Sequence, residues 1–185
     1  TGHLYAIDRA TGVLARSYTL GETASFITSA SYAGNVHLFV QESTRYLLKL
    51  TDTGSAITYD TTWSNNPKVL DYDADFGHGT IRVPPIFIVE GGTRHLYLTF
   101  TPAGLTTITL DKLYADNGNR VSGFTAGSAF ASTYTEQTIR QLNDQVFLAG
   151  KVNRVYRLDA DGTGQITSSV IANVTKHVFL VRDGN

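Results

Sequence analysis

The chain has no cysteine, no methionine, one tryptophan and four prolines among 185 residues, and its 16 acidic side chains nearly cancel its 15 lysines and arginines. Each shortage excludes something. Without cysteine there is no disulfide and no thiolate metal site, and the redox compartment stays open. A net charge of −1 lacks the basic footprint of a nucleic-acid or anionic-membrane binder, so neither partner is expected. No apolar run approaches the roughly 20 residues of a membrane helix, and membrane insertion is not expected. Helical periodicity is nearly absent, and glutamate occurs only at Glu22, Glu42, Glu90 and Glu136. The missing methionine, with Thr1 in first place, sets the expectation of a trimmed product.

What remains is 42% hydrophobic residues, enough for the core of one domain, with 17 glycines, 10 tyrosines and 9 phenylalanines. Abundant Thr, Ser, Gly and Tyr suit β structure and an extracellular or cell-surface protein. Short β-branched and aromatic runs alternate with Gly, Asp and Asn turns. They predict strands at Leu4–Asp8, Val13–Leu20, Ser25–Ala30, Val36–Gln41, Tyr46–Leu50 and Ala56–Asp60. A second set runs Ile81–Glu90, Arg94–Phe100, Leu105–Leu110 and Arg120–Phe124, with a long turn through Asp116 and Gly118. A third runs Ala129–Tyr134, Gln145–Gly150, Arg154–Asp159 and Gln165–Ile171, and a last strand follows at His177–Val181.

One marker recurs in the second strand of each set: His37-Leu38-Phe39, His95-Leu96-Tyr97, Gln145-Val146-Phe147 and His177-Val178-Phe179. Counted around a closed circle the mean period is about 46, close to a four-stranded blade. Placed end to end, HVFLVRDGN from His177 and TGHLYAIDRATG from Thr1 have the form of the uninterrupted QVFLAGKVNRVYRLDADGTG from Gln145. The expected architecture is therefore an all-β, four-bladed β-propeller occupying residues 1–185 as one domain. Its first blade is shared between residues 1–20 and about 172–185, and an insertion loop runs from 61 to 85.

The opening residues GHLYAIDRATG, Gly2 to Gly12, resemble the blade motif of quinoprotein-type β-propellers, with looser echoes in YLLKLTDTG and VYRLDADGTG. The resemblance implies a propeller blade. Quinoprotein dehydrogenases are longer, carry a tryptophan-rich blade motif and in many members set a cysteine pair beside the cofactor. This chain has only Trp63 and no cysteine, so it is not read as a quinoprotein enzyme and no cofactor is carried over.

Candidate chemistry is sparse. Asp71, Asp73 and Asp75 have the spacing of the first ligands of a calcium loop, but the sixth position is Phe76 where glycine is needed and the twelfth is Arg82 where an acid is needed. Calcium there is weighed against a plain solvated loop, and a half-loop at Asp159–Gly164 against a simple turn. His37, His95 and His177 occupy equivalent repeat positions, which allows a three-imidazole metal site or mere repetition. His78 lies beside the aspartates without an evident nucleophile, and no G-x-S-x-G elbow or phosphate-binding glycine loop appears. Trp63 and Tyr72, in the long 61–85 connection, offer a contact anchor for a subunit or a sugar ring, or else a cover for the core.

The function expected is that of a non-catalytic secreted or surface propeller that self-associates into an extracellular assembly or filament through copies of itself. At the seam, Leu4 and Tyr5 would meet His177 and Phe179 within one chain or between chains. The alternatives are a carbohydrate- or peptide-binding module, engaging a glycan or surface protein, and a fragment of a larger propeller.

Overall fold

The computed structural model describes residues 2–42, 46–63, 68–69, 79–81, 84–102, 109–122, 124, 138–142, 145–150, 154–158 and 166–170, the last four stretches as backbone pairing. Every regular element among them is an antiparallel β-strand, so the chain is all-β as expected. It divides into two compact units, Thr1–Gly79 and Thr80–Asn185.

The first unit opens with a two-stranded sheet of β1 (His3–Ile7) and β2 (Leu14–Thr19). A second sheet takes β3 (Ala24–Tyr32), β4 (Asn35–Glu42), β5 (Tyr46–Asp52) and β6 (Ile57–Tyr59) in chain order, and the short β7 (Lys68–Val69) also pairs with β5. Chain order is what short hairpins produce. The β3–β4 link is two residues, Ala33 and Gly34, with φ of 50° and 78°, the double left-handed geometry that lets a tight hairpin follow the sheet twist. The two sheets pack face to face. Leu4 and Leu20 from the hairpin form one buried cluster with Val40, Leu48, Leu50 and Ile57 from the larger sheet. At roughly 1.5–3 kcal/mol for each fully buried aliphatic side chain, this cluster is the main attraction holding the sheets together.

Polar contacts fix the register of that packing. Arg16 on β2 reaches the β5–β6 turn, donating from Nη2 to Asp52 Oδ2 at 2.7 Å and from Nη1 to the Gly54 carbonyl at 2.8 Å. The hydrogen bond from Arg16 holds the Asp52 carboxyl below its ordinary range. Gly2 donates to the Glu22 carbonyl at 3.0 Å, and a Cβ added at Gly2 would lie 2.7 Å from that oxygen, so only glycine fits there.

In the second unit, β8 (Gly79–Ile81) and β9 (Ile86–Glu90) both pair with β10 (Thr93–Pro102), which pairs on its other side with β11 (Thr109–Tyr114). The last sheet takes β12 (Thr138–Leu142), β13 (Gln145–Gly150), β14 (Arg154–Leu158) and β15 (Ile166–Val170), again in chain order.

Several boundaries differ from expectation. The predicted strand Ile81–Glu90 is two strands, because Pro84 and Pro85 lack amide protons for a ladder. Of the predicted Leu105–Leu110 strand, residues 105–108 lie outside the described residues, while Thr109 and Leu110 open β11, which runs on to Tyr114 and sets Leu113 and Lys112 opposite Leu96 and Tyr97. Arg120–Phe124 shrinks to a bridge between Leu113 and Arg120. The connection 61–85 contains β7 and β8. The first strand of the last sheet is β12, unmarked by the sequence reading, while the predicted Ala129–Tyr134 strand lies outside the described residues. So does the terminal strand His177–Val181, and with it the seam. Among the described residues β1 and β2 form a sheet of two.

Candidate functional site

Three of the four sequence markers occupy the same place in the fold. His37, His95 and Gln145 lie on β4, β10 and β13, each paired on one side with the strand before it and on the other with the strand after it. The register repeats residue for residue. Phe39 faces Lys49, Tyr97 faces Lys112 and Phe147 faces Arg157, while Leu38, Leu96 and Val146 face Leu50, Leu113 and Leu158. An aromatic residue thus stands opposite a basic one in each of the three sheets.

The two repeats with described side chains also end alike. Asp60 and Val121 donate their amides to the Lys49 and Lys112 carbonyls, and three residues on, the Trp63 and Phe124 amides return to the Asp60 and Val121 carbonyls. Trp63 is therefore the counterpart of Phe124. Each ring closes over the aromatic of the second strand, Trp63 on Phe39 at 6.1 Å between centroids and Phe124 on Tyr97 at 5.9 Å. Both geometries are tilted or edge-on, as ring quadrupoles prefer. With Trp63 only 1% exposed, its side chain is part of the core and is not presented as a contact anchor.

Both lysines are buried, and each is matched by an acid. In the first unit Lys49 Nζ lies 3.0 Å from Asp60 Oδ2 and 5.8 Å from the centre of the Tyr32 ring, which stacks on His37 at 3.8 Å. His37 Nδ1 is 3.2 Å from Thr51 Oγ1. Burial alone would raise the Asp60 carboxyl. Hydrogen bonds from Thr62 and Lys49 outweigh it and hold the carboxyl below its usual range.

The second unit gathers a denser set around Glu90, the last residue of β9. Tyr97 donates its hydroxyl to Glu90 Oε1 at 2.6 Å, His95 Nδ1 lies 3.0 Å from Oε2, and Lys112 forms an ion pair with the same oxygen. The Lys112 ammonium also sits 5.1 Å above the Tyr97 ring and 5.8 Å from that of Phe124. Burial would raise the Glu90 carboxyl, but hydrogen bonds from His95, Lys112 and Tyr97 bring it down to about 2. Burial and the carboxylate push the Tyr97 phenol upward, so it stays protonated. A carboxylate so weakly basic and a phenol so weakly acidic are mismatched to proton transfer near neutrality, where a catalytic group works best with a pKa near the operating pH. What this cluster does well is hold β9, β10 and β11 in register.

The sequence had marked His37, His95 and Tyr97 as repeat positions but not their acidic and basic partners Asp60, Glu90, Lys49 and Lys112. Their signal was the basic-Leu pair of the strand that follows the marker, Lys49-Leu50, Lys112-Leu113 and Arg157-Leu158, which recurs in step with the aromatic at Phe39, Tyr97 and Phe147. Of the residues singled out as sites, Leu4 is buried in the first unit's core and Tyr5 points outward at 59% exposure, stacked on His3 at 5.9 Å. Tyr72, Asp71, Asp73, Asp75, His177 and Phe179 lie outside the described residues. Among the described residues, no group of three or more His, Cys, Asp or Glu side chains is placed to hold a metal ion.

The outward face of the β1–β2 sheet mixes the polar His3, Ser17 and Thr19 with three large apolar side chains. Tyr5 and Ile7 alternate outward from β1, and Leu14, opposite Ile7 on β2, lies with them at 53% exposure. The described residues form an all-β chain of antiparallel sheets, three of which set an aromatic residue opposite a basic one in the strand register. No protein-family model and no curated protein matches the chain. Among solved structures it is similar to a quinohemoprotein alcohol dehydrogenase from Pseudomonas putida, at 18% identity and a TM-score of 0.49, over 92% of this chain and 32% of that one. The chain thus spans about a third of that protein's length.

Proposed function

We propose that the chain is a non-catalytic β-propeller of four blades, acting at the cell surface or outside the cell as a structural protein that associates with copies of itself. The repeated sheets are the blades, and residues 177–181 are the strand that joins β1 to complete the first of them. One observation carries the reading: in both units with described side chains a buried lysine is spent on an internal ion pair, whereas Tyr5, Ile7 and Leu14 stand exposed together on the outward face of β1–β2. A face of this kind favours association with protein over chemistry on a small polar substrate.

The alternative of a glycan-binding module loses its main support with the burial of Trp63, and retains only the exposed Tyr5 stacked on His3. Light scattering on a size-exclusion column, paired with negative-stain microscopy, tests the proposal. Assemblies that grow with concentration support it; a monomer at every concentration contradicts it.

A further inference from the structure

The turn that follows β11 holds the one Asn-Gly step in the chain, Asn117-Gly118. It runs from Tyr114 to Asn119 and is closed by two backbone hydrogen bonds, from the Tyr114 amide to the Asn119 carbonyl and from the Gly118 amide to the Tyr114 carbonyl, both 2.8 Å. Gly118 takes a φ of 76°, which glycine adopts without steric penalty. Asn117 is exposed, and its carboxamide folds back along the turn, with the Asn119 amide donating to Oδ1 at 2.9 Å. That hydrogen bond polarises the carboxamide, leaving Cγ more electrophilic, and holds the side chain against the backbone that carries the Gly118 nitrogen. Gly118 has no side chain to hinder the approach of the two atoms.

From this arrangement we infer that Asn117 is a site of spontaneous covalent modification, deamidating through a cyclic imide to isoaspartate. The Gly118 nitrogen gives its proton to hydroxide and bonds to Asn117 Cγ; the Cγ–Nδ2 bond breaks, and Nδ2 leaves as ammonia with a proton from water. Water then opens the imide. Cleavage between the nitrogen and Cγ gives aspartate, whereas cleavage between the nitrogen and the backbone carbonyl carbon gives isoaspartate, whose main chain is longer by one carbon atom. The nitrogen is released by a brief opening of the Gly118–Tyr114 hydrogen bond, a low-energy motion in a turn whose Asp116, Asn117 and Asn119 are all exposed. The consequence is structural. The imide has no N–H to offer Tyr114, and the longer backbone of isoaspartate no longer fits a turn closed in this way. Next to it lie the Leu113–Arg120 bridge, the Arg120–Asp111 ion pair at 2.7 Å and the Val121 amide bond to the Lys112 carbonyl, so the segment leading to Phe124 loosens with the turn.

The purified chain is incubated in mildly alkaline buffer, folded and in urea, and its peptides are mapped by mass spectrometry with fragmentation that separates aspartate from isoaspartate. The expected result is deamidation of the folded chain at Asn117 ahead of every other asparagine, with isoaspartate in excess. Amide hydrogen exchange then compares the modified fraction, isolated by its added negative charge, with Asn117→Asp. Exchange at Tyr114 and Gly118 should be about tenfold faster in the modified fraction, roughly the effect of one lost hydrogen bond, and close to the parent's in Asn117→Asp, which has the charge without the extra carbon. An Asn117 that stays intact in the folded chain would overturn the inference, and its reaction in urea alone would show that the Gly118–Tyr114 bond protects it. Equal exchange in the modified fraction and in Asn117→Asp would overturn the structural consequence, by assigning the effect to charge.

Discussion

At the scale of single residues, the account rests most on Glu90. Its carboxyl titrates near 2 in the folded chain against an ordinary 4.5, so the folded state binds the proton more weakly than the unfolded one. The stability this contributes is complete above about pH 4.5 and is lost as the pH falls through about 2. Glu90→Gln removes the anion between Lys112 and His95, and is expected to lower stability at pH 7 by about 3–5 kcal/mol, the usual consequence of stripping a buried cation of its partner. Urea unfolding of both proteins from pH 7 to pH 2.5 checks this. The two stabilities should converge in acid; parallel curves would mean that Glu90 is not the group responsible. Ala33 is a second such residue. It holds a left-handed φ of 50° that costs a non-glycine residue roughly 1–2 kcal/mol. Ala33→Asn, a residue favoured at this turn position, should raise the melting temperature by about 2–4 °C for about 1 kcal/mol gained. A decrease would show that the turn is held by something other than its own dihedral preference.

At the scale of elements, the aromatic that closes each repeat is the feature to perturb. Trp63→Ala should destabilise the first unit by about 3–5 kcal/mol through lost burial against Phe39, whereas Trp63→Phe copies the second unit's own choice at Phe124 and should lose much less. Thermal unfolding followed by circular dichroism separates the two, and equal losses would contradict the equivalence of Trp63 and Phe124. This equivalence marks how far the sequence could be read. The strands from Leu4 to Asp60 and the three second strands were legible because alternation and turn residues agree there. β11 runs four residues past the predicted end at Leu110, because Lys112 and Leu113 find cross-strand partners in Tyr97 and Leu96 that the sequence alone does not announce. β7, β8 and the Leu113–Arg120 bridge are too short to leave a periodicity. Of the Glu90 cluster only His95 and Tyr97 were marked, because Glu90 and Lys112 come from neighbouring strands and meet them only through the β9–β10–β11 register, whereas the buried Trp63 read equally well as an anchor or a core residue until its packing was seen.

At the scale of the whole molecule, three of the described sheets repeat one strand register, and the central claim is that the chain associates with copies of itself. Tyr5, Ile7 and Leu14 stand exposed together on the β1–β2 sheet, where a self-association contact can be perturbed without touching the buried cluster. The most direct measurement is the mass distribution of the purified chain by light scattering across a concentration series, alongside Ile7→Lys. The account predicts assemblies that grow with concentration in the natural chain and a monomer, or association about tenfold weaker, in the variant. A natural chain that remains a monomer at every concentration, or a variant that assembles as well as its parent, would contradict it.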